Sequence, residues 1–217
     1  MSRPSLLTAA LLAWGISPAA PAHALQAPEL GAVERQYDFK FNTGTAVKSA
    51  RGWVVGTMLS RQGQSKEDFV ADVGRYLDAW TKQSGAEACA KLAQDDQSGQ
   101  WGVMIVTQRS QISCIQGASM LPPFMKPTGE SIHSHPHVQG DHGYVSVSRE
   151  TARLAELLGN KLKVGQKLRL PEPEHFSPAD IASGKGYLVT GGRLKFQDGA
   201  GTEQDLGQVE ASVAMTP

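Results

Sequence analysis

Polar and aromatic residues alternate along residues 36–41, where the sequence is Gln-Tyr-Asp-Phe-Lys-Phe. Successive side chains of an extended chain point to opposite faces, so this pattern predicts a half-buried strand. Residues 51–59 are rich in large apolar side chains and predict a second strand. We therefore expect residues 25–64 to be an N-terminal segment with one or two strands.

The clearest helical pattern covers residues 65–83. Large apolar side chains recur there at spacings of three and four, which gives the helix one apolar face: Phe69, Val73, Tyr76, Leu77 and Trp80. Ser65 is a favourable N-cap, and acidic residues follow it in the first turn. Residues 148–158 predict a second helix, for which Ser148 is the candidate cap.

Further strand patterns lie between and after the two helices. Residues 101–107 predict a buried strand, and residues 111–115 predict a strand that pairs with it as a hairpin. Residues 188–196 predict another hairpin, which turns on two glycines. This mixture of elements predicts an α/β fold with a curved mixed or mainly antiparallel sheet, flanked by the two helices.

The first 24 residues have the pattern of a secretory signal peptide. Arg3 is their one charged residue, an apolar run covers residues 6–16, and the small-x-small motif of residues 22–24 follows. An uncleaved anchor is the alternative. The apolar run is short for a bilayer, and no comparable run follows, so we expect no membrane span. The mature chain is expected to be periplasmic or secreted, with a polar, flexible tail over residues 198–217.

Composition narrows the possible partners. The chain has 21 basic and 21 acidic residues, and this balance gives no reason to expect nucleic acid as a partner. There are two cysteines, Cys89 and Cys114. In an oxidising compartment a disulfide is the first interpretation, with a catalytic thiol or two free buried thiols as the alternatives.

Five of the six histidines lie between residues 133 and 175. His133 and His135 are separated by one residue, so on an extended strand both side chains point to the same side and can bind one metal ion. Asp180 follows further along the chain and can supply a third ligand. Three protein ligands leave a fourth position for water, which is typical of a catalytic rather than a structural zinc site.

The order of these features resembles the JAMM (MPN-type) metalloprotease domain. The resemblance covers residues 65–197. It depends on the order of five features: a helix, a glutamate near a cysteine, strands, His-Ser-His-Pro at 133–136, and Ser-Pro-Ala-Asp at 177–180. The last of these precedes Gly-Tyr-Leu-Val-Thr at 186–190. It implies that His133, His135 and Asp180 hold Zn²⁺. It further implies that Glu87 is the general base and that Ser177 donates a hydrogen bond to the developing oxyanion.

Two departures from the family pattern leave alternatives open. Family members usually have fewer than ten residues between the second histidine and the Ser-x-x-Asp motif, so residues 137–174 are expected to be an insertion over the cleft. If they are not, Asp141 or His142 is the substitute third ligand. Near Glu87 an alanine replaces the family's glycine, and Glu130 is the competing base, although its strand parity differs from that of His133.

The predicted function is therefore that of an exported zinc-dependent peptidase or isopeptidase. Its expected substrates are peptides or proteins, including peptidoglycan stem peptides. The alternative is a non-catalytic JAMM-like module that binds a peptide or a cell-wall fragment. Metal buffering by the clustered histidines is a third possibility, and it predicts several weak sites rather than one tight site.

Overall fold

In the computed structural model, the described residues are 35–42, 45–117, 119–136, 144–170 and 173–209. The predicted signal peptide lies outside them. The elements in chain order are β1 Arg35–Asn42, β2 Val47–Leu59, α1 Lys66–Ser84, β3 Cys89–Gln94, β4 Trp101–Thr107, β5 Lys126–Ser134, β6 Tyr144–Ser146, α2 Arg149–Leu157, β7 Lys167–Arg169, α3 Pro178–Ala182, β8 Gly186–Thr190, β9 Arg193–Gln197 and β10 Glu203–Gln208.

Eight of these strands form one mixed sheet, in the order β1-β2-β4-β3-β5-β8-β9-β10, and β6 pairs with β7 in a separate small sheet. Among the described strand pairs, β5 and β8 are parallel and the others are antiparallel. The prediction of an α/β fold with a large mixed sheet and few flanking helices is confirmed at this level.

Both helices form at the positions that the spacing of apolar residues predicted. The side chain of Ser65 accepts a hydrogen bond from the backbone N–H of Asp68, at 3.1 Å, and caps α1. Gly85 ends α1 in the left-handed conformation with a φ of 67°, which glycine adopts without a steric penalty. Ser148 caps α2 in the same way as Ser65 caps α1.

The sheet has a core on each face. The larger core lies between α1 and the sheet and includes Phe69, Leu77, Ile105 and Ile132. The opposite face carries a smaller cluster around Cys89, against which Leu157 of α2 packs. Ile132 of β5 faces α1. Because side chains alternate along a strand, the residues on either side of Ile132, Ser131 and His133, face the opposite side of the sheet.

Residues 111–115 do not form the predicted hairpin strand. Both edges of β4 are already paired, with β2 and β3, so no edge remains for these residues. The amide of Gln108 instead exchanges hydrogen bonds with the backbone of Ile115, and Cys114 forms a disulfide with Cys89. The disulfide confirms the first interpretation of the two cysteines.

The chain after Gln197 also differs from the prediction. Residues 203–208 form β10, an antiparallel edge strand on β9, within the segment for which the sequence predicted a flexible tail. Residues 210–217 lie outside the described residues. None of the residues of β10 is buried, so its sequence carries no apolar alternation from which a strand could be predicted.

Two parallel neighbouring strands need a long crossover connection, and here it runs from residue 135 to residue 185. Its described part contains β6, α2, β7 and α3, and α3 directly precedes β8. This connection brings α3 to the C-terminal end of β5. No helix in the described part of the chain is long and apolar enough to span a membrane.

Candidate metal centre

His133, His135 and Asp180 converge at the C-terminal end of β5. The Nε2 atoms of the two histidines are 3.2 Å apart. The Oδ1 of Asp180 lies 3.4 Å from Nε2 of His133, and its Oδ2 lies 3.8 Å from Nε2 of His135. The two histidines are nearly buried and Asp180 is half-buried. These three side chains form a group that could hold a metal ion.

The strand geometry fixes the two histidines. His133 is in β5, and the backbone N–H of His135 continues the pairing by donating to the carbonyl of Val189, at 3.0 Å. Ser134 lies between them and points to the opposite face, where its hydroxyl is 2.5 Å from that of Thr81 on α1. The hydroxyl of Ser134 also accepts a hydrogen bond from the N–H of Ala88, at 3.2 Å. The histidine pair is therefore held from behind by α1 and β3.

The N-terminus of α3 fixes Asp180. Ser177 is the N-cap, and its hydroxyl accepts from the backbone N–H of Asp180, at 3.3 Å. In return, the Oδ2 of Asp180 accepts from the N–H of Ser177, at 2.8 Å. This reciprocal capping box, with Pro178 in the first turn, needs a serine and an acid three residues apart. The cap leaves Oδ1 directed toward His133.

The spacing of these atoms suits tetrahedral zinc. With Zn–N and Zn–O distances of about 2.0–2.1 Å, two ligand atoms of a tetrahedral site lie about 3.3–3.4 Å apart. The two imidazole nitrogens are 3.2 Å apart, Oδ1 of Asp180 is 3.4 Å from His133, and Oδ2 of Asp180 is 3.8 Å from His135. One ion can therefore contact all three groups after small side-chain shifts.

The protonation of His135 also suits a metal ligand. Its Nδ1 lies 2.9 Å from the carbonyl oxygen of Pro173, so Nδ1 carries the hydrogen and the lone pair of Nε2 is available. Burial, and next the charge of His133, lower the pKa of His135 to about 4. The imidazole of His135 is consequently neutral at physiological pH.

Asp180 is held in its ionised form. Burial opposes ionisation, but the hydrogen bond and charge of His133, together with hydrogen bonds from Ser177, outweigh burial and hold the pKa of Asp180 well below its usual value. The site thus offers an anionic oxygen beside two imidazole nitrogens. That donor set is common in catalytic zinc sites.

Glu87 lies in the same cleft. Its side chain is 7% exposed, and it is anchored through the backbone, because its N–H donates to the carbonyl of Ser110 and its carbonyl accepts from the hydroxyl of Thr107. No other described residue donates a hydrogen bond to its carboxyl group. Burial, and then the negative charge of Asp180, raise the pKa of Glu87 well above its usual value. A buried carboxyl group whose pKa is raised in this way is a candidate to accept and return a proton.

These groups line one cleft of about 910 Å³. Its floor is the face of β5 that carries the histidines, together with Glu87, Cys89 and Lys91 of the β3 segment. One wall is α3 with the residues before it, and residues 112–116 also line it.

Comparison with protein-family models, curated proteins and solved structures found no match. The resemblance to JAMM proteases therefore remains a prediction from the motifs. The convergence of His133, His135 and Asp180 is a separate, geometric observation.

Glu130 and His175 also line this cleft, but each forms an ion pair with another residue of the protein. Glu130 forms an ion pair with Lys66 of α1, at 3.1 Å. His175 pairs instead with Glu203 of β10, at 3.1 Å. Asp141 and His142, the substitute ligands, lie outside the described residues, as does His137.

Three supporting groups were not predicted from the sequence. Ser134 and Thr81 are buried and position the histidine strand, and the carbonyl of Pro173 orients His135. The alternation of side chains could have indicated Ser134, since a residue between two ligands must face the core. No sequence signal identifies a backbone carbonyl from a distant loop.

Proposed function

We propose that this protein is an exported zinc-dependent peptidase or isopeptidase of the JAMM-like type. One observation carries the proposal: two imidazoles and a carboxylate meet at tetrahedral spacing in a cleft that also holds a buried glutamate. The ligand set is His133, His135 and Asp180. Zn²⁺ is the favoured ion because it prefers nitrogen and carboxylate ligands in four-coordinate sites.

The roles of the residues follow from their protonation. Zinc supplies Lewis acidity and lowers the pKa of a coordinated water toward about 7. Glu87, whose carboxyl group is buried and carries a raised pKa, takes the proton of the attacking water and passes it to the leaving amine. Its lack of hydrogen-bond donors among the described residues supports this role, because the carboxyl group remains available to water.

Ser177 is proposed to stabilise the oxyanion. Its hydroxyl accepts from the N–H of Asp180 and also contributes a hydrogen bond that lowers the pKa of that carboxyl group. A hydroxyl has one proton to donate. Ser177 would therefore turn its proton from Asp180 to the oxyanion as charge develops there.

The proposed location and substrates rest on other features. Residues 1–24 have a signal-peptide pattern, and the Cys89–Cys114 disulfide is compatible with an oxidising compartment outside the cytoplasm. Substrates reached there include exported proteins and peptidoglycan stem peptides. Residues 137–174, the proposed insertion, include β6, α2 and β7 and contribute residues 168–170 and Pro173 to the lining of the cleft.

The test uses purified mature protein, residues 25–217, loaded with zinc. We expect about one tightly bound zinc per chain and hydrolysis of members of a panel of peptides, isopeptide-linked proteins and muropeptides. Glu87→Gln should keep the zinc and lower kcat by about 100-fold or more. Glu156→Gln, which changes an exposed glutamate of α2 outside the cleft, should leave both unchanged.

Other results of the same experiment would support the alternative functions. One bound zinc with tight peptide binding and no hydrolysis would indicate the non-catalytic binding module. Several weakly bound metal ions, unaffected by Asp180→Asn, would indicate metal buffering by the histidines. Full activity in Glu87→Gln would refute the role of Glu87 as the general base.

A further inference from the structure

Lys91 is a cation in the floor of the cleft. It lies on β3 at the register position opposite Ser131 of β5, and its side chain is half-buried and lines the cleft. Among the described residues, none forms a hydrogen bond or ion pair with Lys91. Its charge therefore faces the cleft without an anionic partner among the described residues, so Lys91 is suited to bind an anion that enters from outside.

The other charged groups around the cleft have partners within the protein. Glu130 pairs with Lys66, and Asp180 lies against the histidines. Arg169 of β7 also lines the cleft, and like Lys91 it forms no ion pair with a described residue. Lys91 and Arg169 are therefore the charged residues of the described cleft lining that have no charged partner, apart from Glu87, the proposed base.

The register places Lys91 at a defined distance from the metal ligands. Glu87, Cys89 and Lys91 alternate along the chain and all line the cleft, so the proposed base and the ammonium lie in one row. Ser131, the partner of Lys91, precedes His133 by two residues, which is about 7 Å along a strand. An extended peptide that runs along β5 covers that distance in about two residues.

We propose that Lys91 forms an anion-binding subsite and that the substrate is a peptide with a carboxylate one or two residues from the bond that is cleaved. The second part of this proposal rests on the proposed function. Two sources share the required chemistry: acidic side chains of exported proteins, and the free carboxylates of cell-wall stem peptides.

The test compares matched substrates on the zinc-loaded mature protein. The probes are acetylated and amidated peptides in pairs that differ by Glu or Gln at one position, and muropeptides whose carboxylates are free or amidated. We expect cleavage one or two residues from the carboxylate, with a KM about tenfold lower than for the neutral partner and a similar kcat. Preferential cleavage of the muropeptides or of the linear peptides identifies the source.

Variants of Lys91 test whether this residue causes the preference for peptides with a carboxylate. Lys91→Met should abolish the difference between Glu and Gln peptides, and Lys91→Glu should reverse the preference toward peptides with Lys or Arg. Lys163→Met, which removes an exposed lysine outside the cleft, should retain the wild-type preference. Zinc content is measured for each variant, so a loss of metal is not mistaken for a loss of specificity.

A binding assay separates this inference from the proposed function. Fluorescence anisotropy of labelled peptide pairs on zinc-loaded Glu87→Gln protein needs no turnover. If wild-type protein cleaves nothing but binds Glu peptides in preference to Gln peptides, and Lys91→Met loses this preference, the subsite stands and the peptidase proposal fails. Equal binding or cleavage of Glu and Gln peptides overturns the subsite even if hydrolysis occurs. Absence of both binding and cleavage overturns both proposals.

Discussion

Cys89 and His133 are direct register partners on the neighbouring strands β3 and β5. The disulfide to Cys114 therefore begins beside the first metal ligand and holds residues 112–116 at the edge of the cleft. This bond takes the place of strand pairing, because residues 111–115 have no free strand edge to join. The disulfide thus contributes to the shape of the cleft as well as to stability.

The first prediction concerns this disulfide. The double variant Cys89→Ser, Cys114→Ser should lower the free energy of unfolding by about 3.5 kcal/mol, as expected for a loop closed over 25 residues. It should keep its zinc, since the ligands belong to β5 and α3. The KM for peptide substrates should rise because the wall formed by residues 112–116 is released. Denaturant unfolding, metal analysis and kinetics measure these effects, and loss of zinc from folded protein would contradict the expectation.

The elements that the sequence predicted well have strong local signals. α1 combines an apolar face at helical spacing, a serine cap and a terminal glycine, and its observed bounds lie within one residue of the prediction. The sequence of α3 carries a comparable signal, because Ser177, a following proline and Asp180 at the third position form a capping box. By contrast, β10 has a weak pattern because none of its residues is buried.

The metal site was only partly predictable from the sequence. The i, i+2 spacing predicts that His133 and His135 face the same side, and their Nε2 atoms are 3.2 Å apart. Nothing in local periodicity indicates that Asp180 approaches them, because that contact depends on the crossover between β5 and β8. The sequence offered Asp180 as a possible third ligand, and the family resemblance selected it over Asp141 and His142. The unpaired state of Lys91 likewise depends on the surrounding fold.

A second prediction tests Asp180 as a ligand. Asp180→Asn preserves the size of the side chain and much of the helix cap but removes the anionic oxygen. The zinc dissociation constant should therefore rise by about 100-fold or more, measured by competition with a chelator. Asp38→Asn, on the exposed surface of β1, is the matched control and should bind zinc like the wild type. An unchanged affinity in Asp180→Asn would exclude this residue from the site.

A third prediction concerns Lys195, which holds the segment before α3. Its ammonium group is nearly buried and donates to the carbonyl of Glu174, at 2.5 Å, and to Glu203, at 2.6 Å. Glu174 directly follows Pro173, the residue whose carbonyl orients His135. Lys195 is therefore expected to position the second histidine and the N-terminus of α3 without contacting the metal.

Lys195→Met retains the aliphatic part of the side chain and removes both hydrogen bonds. We expect zinc affinity to fall by about tenfold, as is typical when groups behind a ligand are altered. Lys185→Met changes an exposed lysine close to α3 and should have no effect. If Lys195→Met reduces stability equally with and without zinc and leaves the affinity unchanged, its role is purely structural.

The last prediction is a pH dependence of stability. Burial tends to raise the pKa of Glu203, but hydrogen bonds from Lys195 and His175, and their charges, outweigh it and hold the pKa below the ordinary value of 4.5. A carboxylate whose pKa is lowered by folding stabilises the native state above its unfolded pKa, and this contribution disappears as the pH falls through the folded pKa. The stability difference between the metal-free wild type and Glu203→Gln should therefore be present at about pH 5 and should shrink progressively as the pH falls below about 4.5. Chemical unfolding at a series of pH values measures this difference, and a difference that grows on acidification would contradict the assignment.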